Sequence, residues 1–242
     1  MFNLFKNKKE WKTPGGTIPA YLDSLTSEPH LLIGGTTGSG KSVLINNVIY
    51  SLLLKTPNAA RLILLDPKGC ELIDYKQAPH TIAHASSVGE CVQELNKAAA
   101  LMDARFKKMK REGLKKSTAP DVYIIIDEWI DLKTQAGKLA ELPALRIIAK
   151  GRAANIHIIL ATQRPTREII TGAIRANFPA VVALRCNNAQ ESRNLIQTAD
   201  AELLPLYGQA LYKTPKAREP IMLNIEQIAL EEIRRVLNHW NQ

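Results

Sequence analysis

Five short apolar runs rich in Ile, Leu and Val, at residues 30–34, 61–66, 122–127, 156–161 and 180–185, alternate along this chain with helically spaced stretches at 41–55, 88–110, 137–151 and 189–197. A strand that is apolar at nearly every position has no face for water, so both of its faces must be covered. Strands joined through helices also run parallel. The alternation therefore predicts an α/β domain with a mostly parallel central sheet flanked by helices. Towards the end, residues 209–213 and 220–223 read as a small hairpin around the turn 214–219. A terminal helix follows, with Asn224 as its N-cap, Gln227 at N3, and Ile225, Ile228, Ile233, Val236, Leu237 and Trp240 along one face. Packing against the domain suits that stripe, and a partner-binding face is the alternative. Residues 1–29 are mixed, with turn signals at Pro14-Gly15-Gly16 and Pro19 and room for short strands. The expected division is a lead-in segment over 1–29 and one α/β domain over 30–242.

The octapeptide Gly35-Thr36-Thr37-Gly38-Ser39-Gly40-Lys41-Ser42 sits between the first apolar run and the first helical stretch. Glycines at this spacing let the backbone curl around a phosphate chain, so that successive N–H groups point inward at the start of a helix. In that setting Lys41 places its charge on the β- and γ-phosphates, and the Ser42 hydroxyl ligates Mg²⁺. The pattern makes ATP and Mg²⁺ the expected ligands, held by Gly35 to Ser42. The run 122–127 ends in Asp127-Glu128 and delivers two carboxylates to the edge of the sheet where such folds bind ligands. Asp127 suits Mg²⁺, through water, and Glu128 suits the general base that polarises an attacking water. A second acid with no role in metal binding favours hydrolysis over phosphoryl transfer to a small molecule.

Two further residues have two open readings each. Gln163, at the end of the run 156–161, suits a sensor of the γ-phosphate or a strand-end polar residue bonded to backbone. Arg152, in Lys150-Gly151-Arg152, suits an arginine finger acting on a neighbouring subunit's nucleotide or a charge complementing a helix C-terminus.

Net charge is +9 and the pI about 9.5, a balance that favours a polyanionic partner. Arg105, Lys107, Lys108, Lys110, Arg111, Lys115 and Lys116 concentrate at the end of a long helix, with Glu112 the only acid among them. Gly113 and residues 117–120 predict that this helix breaks into a mobile loop. Such a cluster can follow a phosphate backbone without reading bases, or can be a solvated face. Cys70, Cys91 and Cys186 are odd in number and lack metal-ligand spacing, as expected of reduced thiols in a cytoplasmic protein without a disulfide or zinc site. No apolar run approaches the roughly 20 residues that span a bilayer, and the basic start has no apolar core behind it. Direct membrane insertion and a signal peptide are thus not expected.

Several long words, taken in order, resemble the motor of the FtsK/SpoIIIE family of DNA translocases. They are His30-Leu31-Leu32-Ile33-Gly34 running into the octapeptide, Asp66-Pro67-Lys68-Gly69 with Glu71-Leu72 and Tyr75, and Ile126-Asp127-Glu128 with Asp131-Leu132. Residues 150–166, Thr171-Gly172, Ile174 and Ala176-Asn177 continue the match. The resemblance implies a RecA-like fold working as a homo-oligomeric ring, normally a hexamer, with double-stranded DNA in its pore and ATP hydrolysed between subunits. It carries family roles to Lys41, Ser42, Asp127, Glu128 and Gln163, and to Arg152. It also implies a replication, conjugation or segregation protein as partner. Family members carry a membrane anchor, a linker, a further motor subdomain and a winged helix, none of which is read in this chain, and Leu204-Pro205-Leu206-Tyr207-Gly208 replaces their Gly-rich turn. A compact version serving a plasmid, phage or conjugative element is the expectation. The rival readings are a coupling or secretion ATPase moving relaxase-bound DNA or protein, and a nucleotide switch without motor activity.

Overall fold

A computed structural model describes residues 20–55 and 58–240; the turn signals at Pro14-Gly15-Gly16 and Pro19 and the basic start lie outside them. The described chain runs α1 (Ala20–Ser27), β1 (His30–Gly34), α2 (Lys41–Leu53), β2 (Ala60–Leu65), β3 (Thr81–Ala85), α3 (Val88–Glu112), β4 (Asp121–Ile126) and α4 (Trp129–Ala136). It continues through α5 (Lys138–Lys150), β5 (Ile156–Thr162), α6 (Gly172–Ala176), β6 (Ala180–Ala183), α7 (Ala189–Ile196), β7 (Gln209–Lys213), β8 (Ile221–Asn224) and α8 (Leu230–Trp240). The strands form one sheet in the order β3-β2-β4-β5-β1-β6-β7-β8. Its first six strands are parallel, and β7 and β8 add an antiparallel margin.

The unbroken apolarity of the central strands is used on both faces. Leu32, Ile124, Ile126, Ile158 and Leu160 point to a core made with α3, α4 and α5. Their neighbours Leu31, Ile33, Tyr123, Ile125 and Ile159 point to a second core made with α1, α2 and α8. Each such Leu or Ile, fully buried, contributes about 1.5–3 kcal/mol over an exposed one. The sheet is therefore the common wall of two cores, and its strand ends are fixed points on which a site can be built.

Three features differ from the sequence reading. Residues 20–27 form a helix, not short strands; Leu22 and Leu25 of α1 are buried against the α2 side of the sheet. The edge strand β3 was hidden by its mixed composition, Thr-Ile-Ala-His-Ala, of which only Ala85 is fully buried. The last helix begins at Leu230, so Asn224 is the end of β8 and not an N-cap. The reason is tertiary. Ile225 N donates to Gly208 O (2.8 Å). The Asn47 amide binds Glu226 O (2.7 Å) and Ile228 N (3.3 Å), so these backbone groups are taken before a helix can use them. The apolar stripe does pack on the domain: Ile225, Ile233 and Val236 are buried, and Trp240 Nε1 donates to Leu53 O.

Candidate nucleotide site

The carboxyl ends of β1, β4 and β5 meet at one edge of the sheet, with β5 lying between the other two. Gly35 leaves β1 there, its N–H donating to Thr162 O, and Thr36 N donates to Arg185 O. A Cβ at Gly35 would come within 2.6 Å of Leu184 Cβ and 2.7 Å of Ser39 Oγ, so only glycine fits. Gly38 and Gly40 have φ of 77° and 90°, the left-handed region that side chains rarely adopt. These turns bring the loop into α2, whose N-cap is Gly40 without a side-chain cap. The first N–H groups of α2 are thus free of protein acceptors in a cap, at the positive end of the helix dipole. Ser39 Oγ is buried and has no hydrogen-bond partner among the described residues. These are the properties of a phosphate cradle, and the residues present fit one.

Lys41 is 4% exposed, and its Nζ donates to Asp127 O (2.7 Å) and Asp127 Oδ1 (2.8 Å), with Glu128 Oε2 at 4.0 Å. Both Glu128 oxygens accept from Gln163 N (3.1 Å each), and Oε1 also accepts from Ile130 N at the start of α4. Burial raises the Glu128 pKa above the usual carboxylate range, against the opposite pull of Lys41 and the Gln163 N–H. Gln163 Oε1 accepts from Thr37 Oγ1 (2.9 Å), and Thr36 Oγ1 donates to Asn187 Oδ1 (2.8 Å). Gln163 therefore holds the loop with its side chain and the buried acid with its backbone. Ser42 and Asp127 offer the hydroxyl and carboxylate that suit Mg²⁺. Among the described residues no group of three or more His, Cys, Asp or Glu can hold a metal, so such an ion relies on phosphates and water for its other ligands, as Mg²⁺ ordinarily does.

Two residues that the sequence reading quoted without a role belong here. Asp66, fully buried at the end of β2, accepts from Lys68 N, Gly69 N, Glu71 N and Leu72 N. It organises the loop that sets Lys68 Nζ 3.4 Å from Asp131 Oδ2. Burial alone would lower the Lys68 pKa, but Asp131, with Glu128 and Asp127 beyond it, raises it. Hydrogen bonds that form only when a loop closes cannot be read from a sequence, so Asp66 gave no signal beyond its place in a motif.

Arg152 is not with this group. It is exposed on the turn before β5, at the opposite edge of the sheet. The intervening strand of seven residues spans about 20 Å. Near Arg152 lies the basic cluster. Lys107, Lys108, Lys110, Arg111, Lys115 and Lys116 are exposed or largely so, but Arg105 is a structural tether, donating to Ala154 O (2.7 Å) and Asn155 O (3.0 Å). The helix ends as expected at Gly113 (φ 66°). The following loop is pinned rather than loose: Ser117 N donates to Ala153 O, and Asn155 Nδ2 donates to Ser117 O and Ala119 O. Cys91 and Cys186 are buried, their thiols pushed up to about 12 by burial, and all three cysteines are free. No described helix is long and apolar enough to cross a membrane.

A phosphate-binding loop after the first strand, paired acids after a strand two places away and a polar residue at the end of the strand between them define a RecA-like P-loop ATPase. Comparison with known proteins narrows the class. The FtsK/SpoIIIE family model matches residues 13–124. DNA translocase FtsK of Pseudomonas aeruginosa is 34% identical over 256 residues, covering 90% of this chain and 32% of that protein. DNA translocase FtsK of Treponema pallidum is 34% identical over 238 residues, covering 91% and 30%. The chain belongs to the FtsK/SpoIIIE family. It spans about a third of the length of these curated relatives. Among solved structures, the pCW3 conjugation coupling protein TcpA with ATPγS has a TM-score of 0.78 at 21% identity, over 99% of this chain and 73% of that one. The cytoplasmic domain of the Thermomonospora curvata Type VII secretion ATPase EccC has a TM-score of 0.74 at 22% identity, over 87% and 28%. At these identities the likeness is one of fold.

Proposed function

We propose that this chain is the motor of a cytoplasmic, ATP-driven translocase of double-stranded DNA, active as a homo-oligomeric ring, normally a hexamer. The observation that carries the reading is the set Lys41–Asp127–Glu128–Gln163–Thr37, in which a lysine, paired acids and a polar strand-end residue converge on the phosphate loop at one strand edge. In this reading Lys41 turns from Asp127 to the β- and γ-phosphates. The Asp127 carboxylate, released from Lys41, and the Ser42 hydroxyl would hold Mg²⁺, Asp127 through water. Mg²⁺, when bound, neutralises charge on the phosphate oxygens. Glu128 takes the proton from the attacking water, its carboxylate aimed by the Gln163 N–H. Thr37 and the Gln163 side chain carry the state of the γ-phosphate into the β5 end. The similarity to DNA translocases and the net charge of +9 support DNA as the cargo.

The test is steady-state ATP turnover with no DNA, with duplex and with single-stranded DNA. A motor on duplex DNA is stimulated by duplex well above single strands. A coupling or secretion ATPase shares the same site but responds to relaxase-bound DNA or protein cargo. Turnover indifferent to every nucleic acid, with the ring intact, removes DNA from the reading.

A further inference from the structure

The cleft in front of the P-loop, about 540 Å³, is lined by both polar and apolar groups. Its lining joins the P-loop and Lys41 to the buried side chains of Leu184 and Ile225 and to Tyr207, Gly208 and Gln227. Tyr207 is 68% exposed, on a turn whose Gly208 has φ 85°. A ring held out on a tight turn buries little apolar area for the fold, and this one lines the same cleft as the P-loop. The turn is nevertheless fixed relative to the P-loop. Asn47, 1% exposed, stands on α2, the helix that rises from the P-loop. Its amide binds the backbone on either side of Gln227, through Glu226 O and Ile228 N. Ile225 N in turn binds Gly208 O, next to Tyr207. Hydrogen bonds thus tie the helix that follows the P-loop to the segments that carry Gln227 and Tyr207, and Gln227 also lines the cleft.

Resting on the nucleotide reading above, we infer that Tyr207 is the platform on which the base of the bound nucleotide stacks and that Gln227 reads the base edge. The chemistry matches adenine. Its π-face stacks on an aromatic ring, and its adjacent N6 donor and N7 acceptor match the acceptor and donor of one side-chain amide. Because Asn47 holds the segment around Gln227 in place before binding, little ordering cost falls on the contact.

The experiment is calorimetric titration of the full chain with ATP and, separately, with inorganic tripolyphosphate, both with Mg²⁺. Tyr207→Ala weakens ATP by about 5- to 150-fold, the range for removal of one base–aromatic stack, and leaves tripolyphosphate within about twofold. Tyr207→Phe keeps ATP affinity, because the ring face and not the hydroxyl meets the base. Gln227→Ala weakens ATP and spares tripolyphosphate. Unchanged ATP affinity in Tyr207→Ala, or equal weakening for both ligands, overturns the platform while leaving the phosphate site standing. A wild-type chain that binds neither ligand overturns the nucleotide reading itself.

Discussion

Lys41 and Glu128 share one buried cleft but are expected to act at different moments of a turnover. Lys41→Ala removes a charge that faces phosphate in the ground state, so ATP affinity should fall by about tenfold or more. Glu128→Gln keeps the shape and the Gln163 N–H bond, so it should bind ATP and lose about 10²- to 10⁴-fold in kcat. Near wild-type turnover in Glu128→Gln would displace the general-base assignment. The acid limb of the pH profile is a second readout of the same residue. Burial raises the Glu128 pKa, so the basic carboxylate is present above that raised value and is lost as pH falls through it. The acid limb should therefore lie above the ordinary glutamate range and vanish in Glu128→Gln. For stability the sign is reversed: the folded state holds this proton more tightly, a contribution present at low pH that fades as pH rises through the folded value. The P-loop and the paired acids were legible because their chemistry is local in sequence. Asp66, which binds four N–H groups, was legible only as part of a word, since its role arises from a loop closing on itself.

At the scale of elements, strands with continuous apolar runs were readable and those without were not. β4, Asp-Val-Tyr-Ile-Ile-Ile, announces a strand covered on both faces, whereas the edge strand β3 has only one fully buried residue and reads like a loop. The start of α8 was misplaced because a side chain from α2 claims the backbone of residues 226–228, from nearly two hundred positions away in sequence. The C-terminal end of α3 shows the converse. Its basic residues were visible as a run, but which of them serve the fold was not: Arg105 is tied to the β5 turn, and the Lys side chains are exposed. A role for this surface on the phosphate backbone predicts that Lys107, Lys108, Lys115 and Lys116 changed together to Ala weaken duplex binding for every sequence. The slope of log affinity against log salt should shallow by up to about 0.9 for each phosphate that is no longer neutralised. ATP binding without DNA should hold, since these residues lie at the other edge of the sheet. An unchanged affinity and slope would move the DNA-binding surface to Arg164, Arg167 or Arg175, of which Arg175 is already engaged with Leu195 O.

At the scale of the whole molecule, the position of Arg152 settles one question of reach. It lies about 20 Å along β5 from the end that carries Gln163, too far to serve the nucleotide of its own subunit. An arginine finger at this position can act only on a neighbour. Arg152→Ala should then be inactive alone and, mixed into wild-type assemblies, should depress activity more steeply than its share of subunits. Strictly proportional dilution in intact assemblies would assign Arg152 to the basic surface around it instead.

β5 also has a mechanical meaning. It is hydrogen-bonded to β4 on one side and β1 on the other, and all but one of its residues are buried. A beam clamped along both flanks resists stretch and shear, so β5 is a rigid link between its Gln163 end and its Arg152 end. In the ring proposed above, subunits built around such a strand would leave most of the compliance to the joints between them.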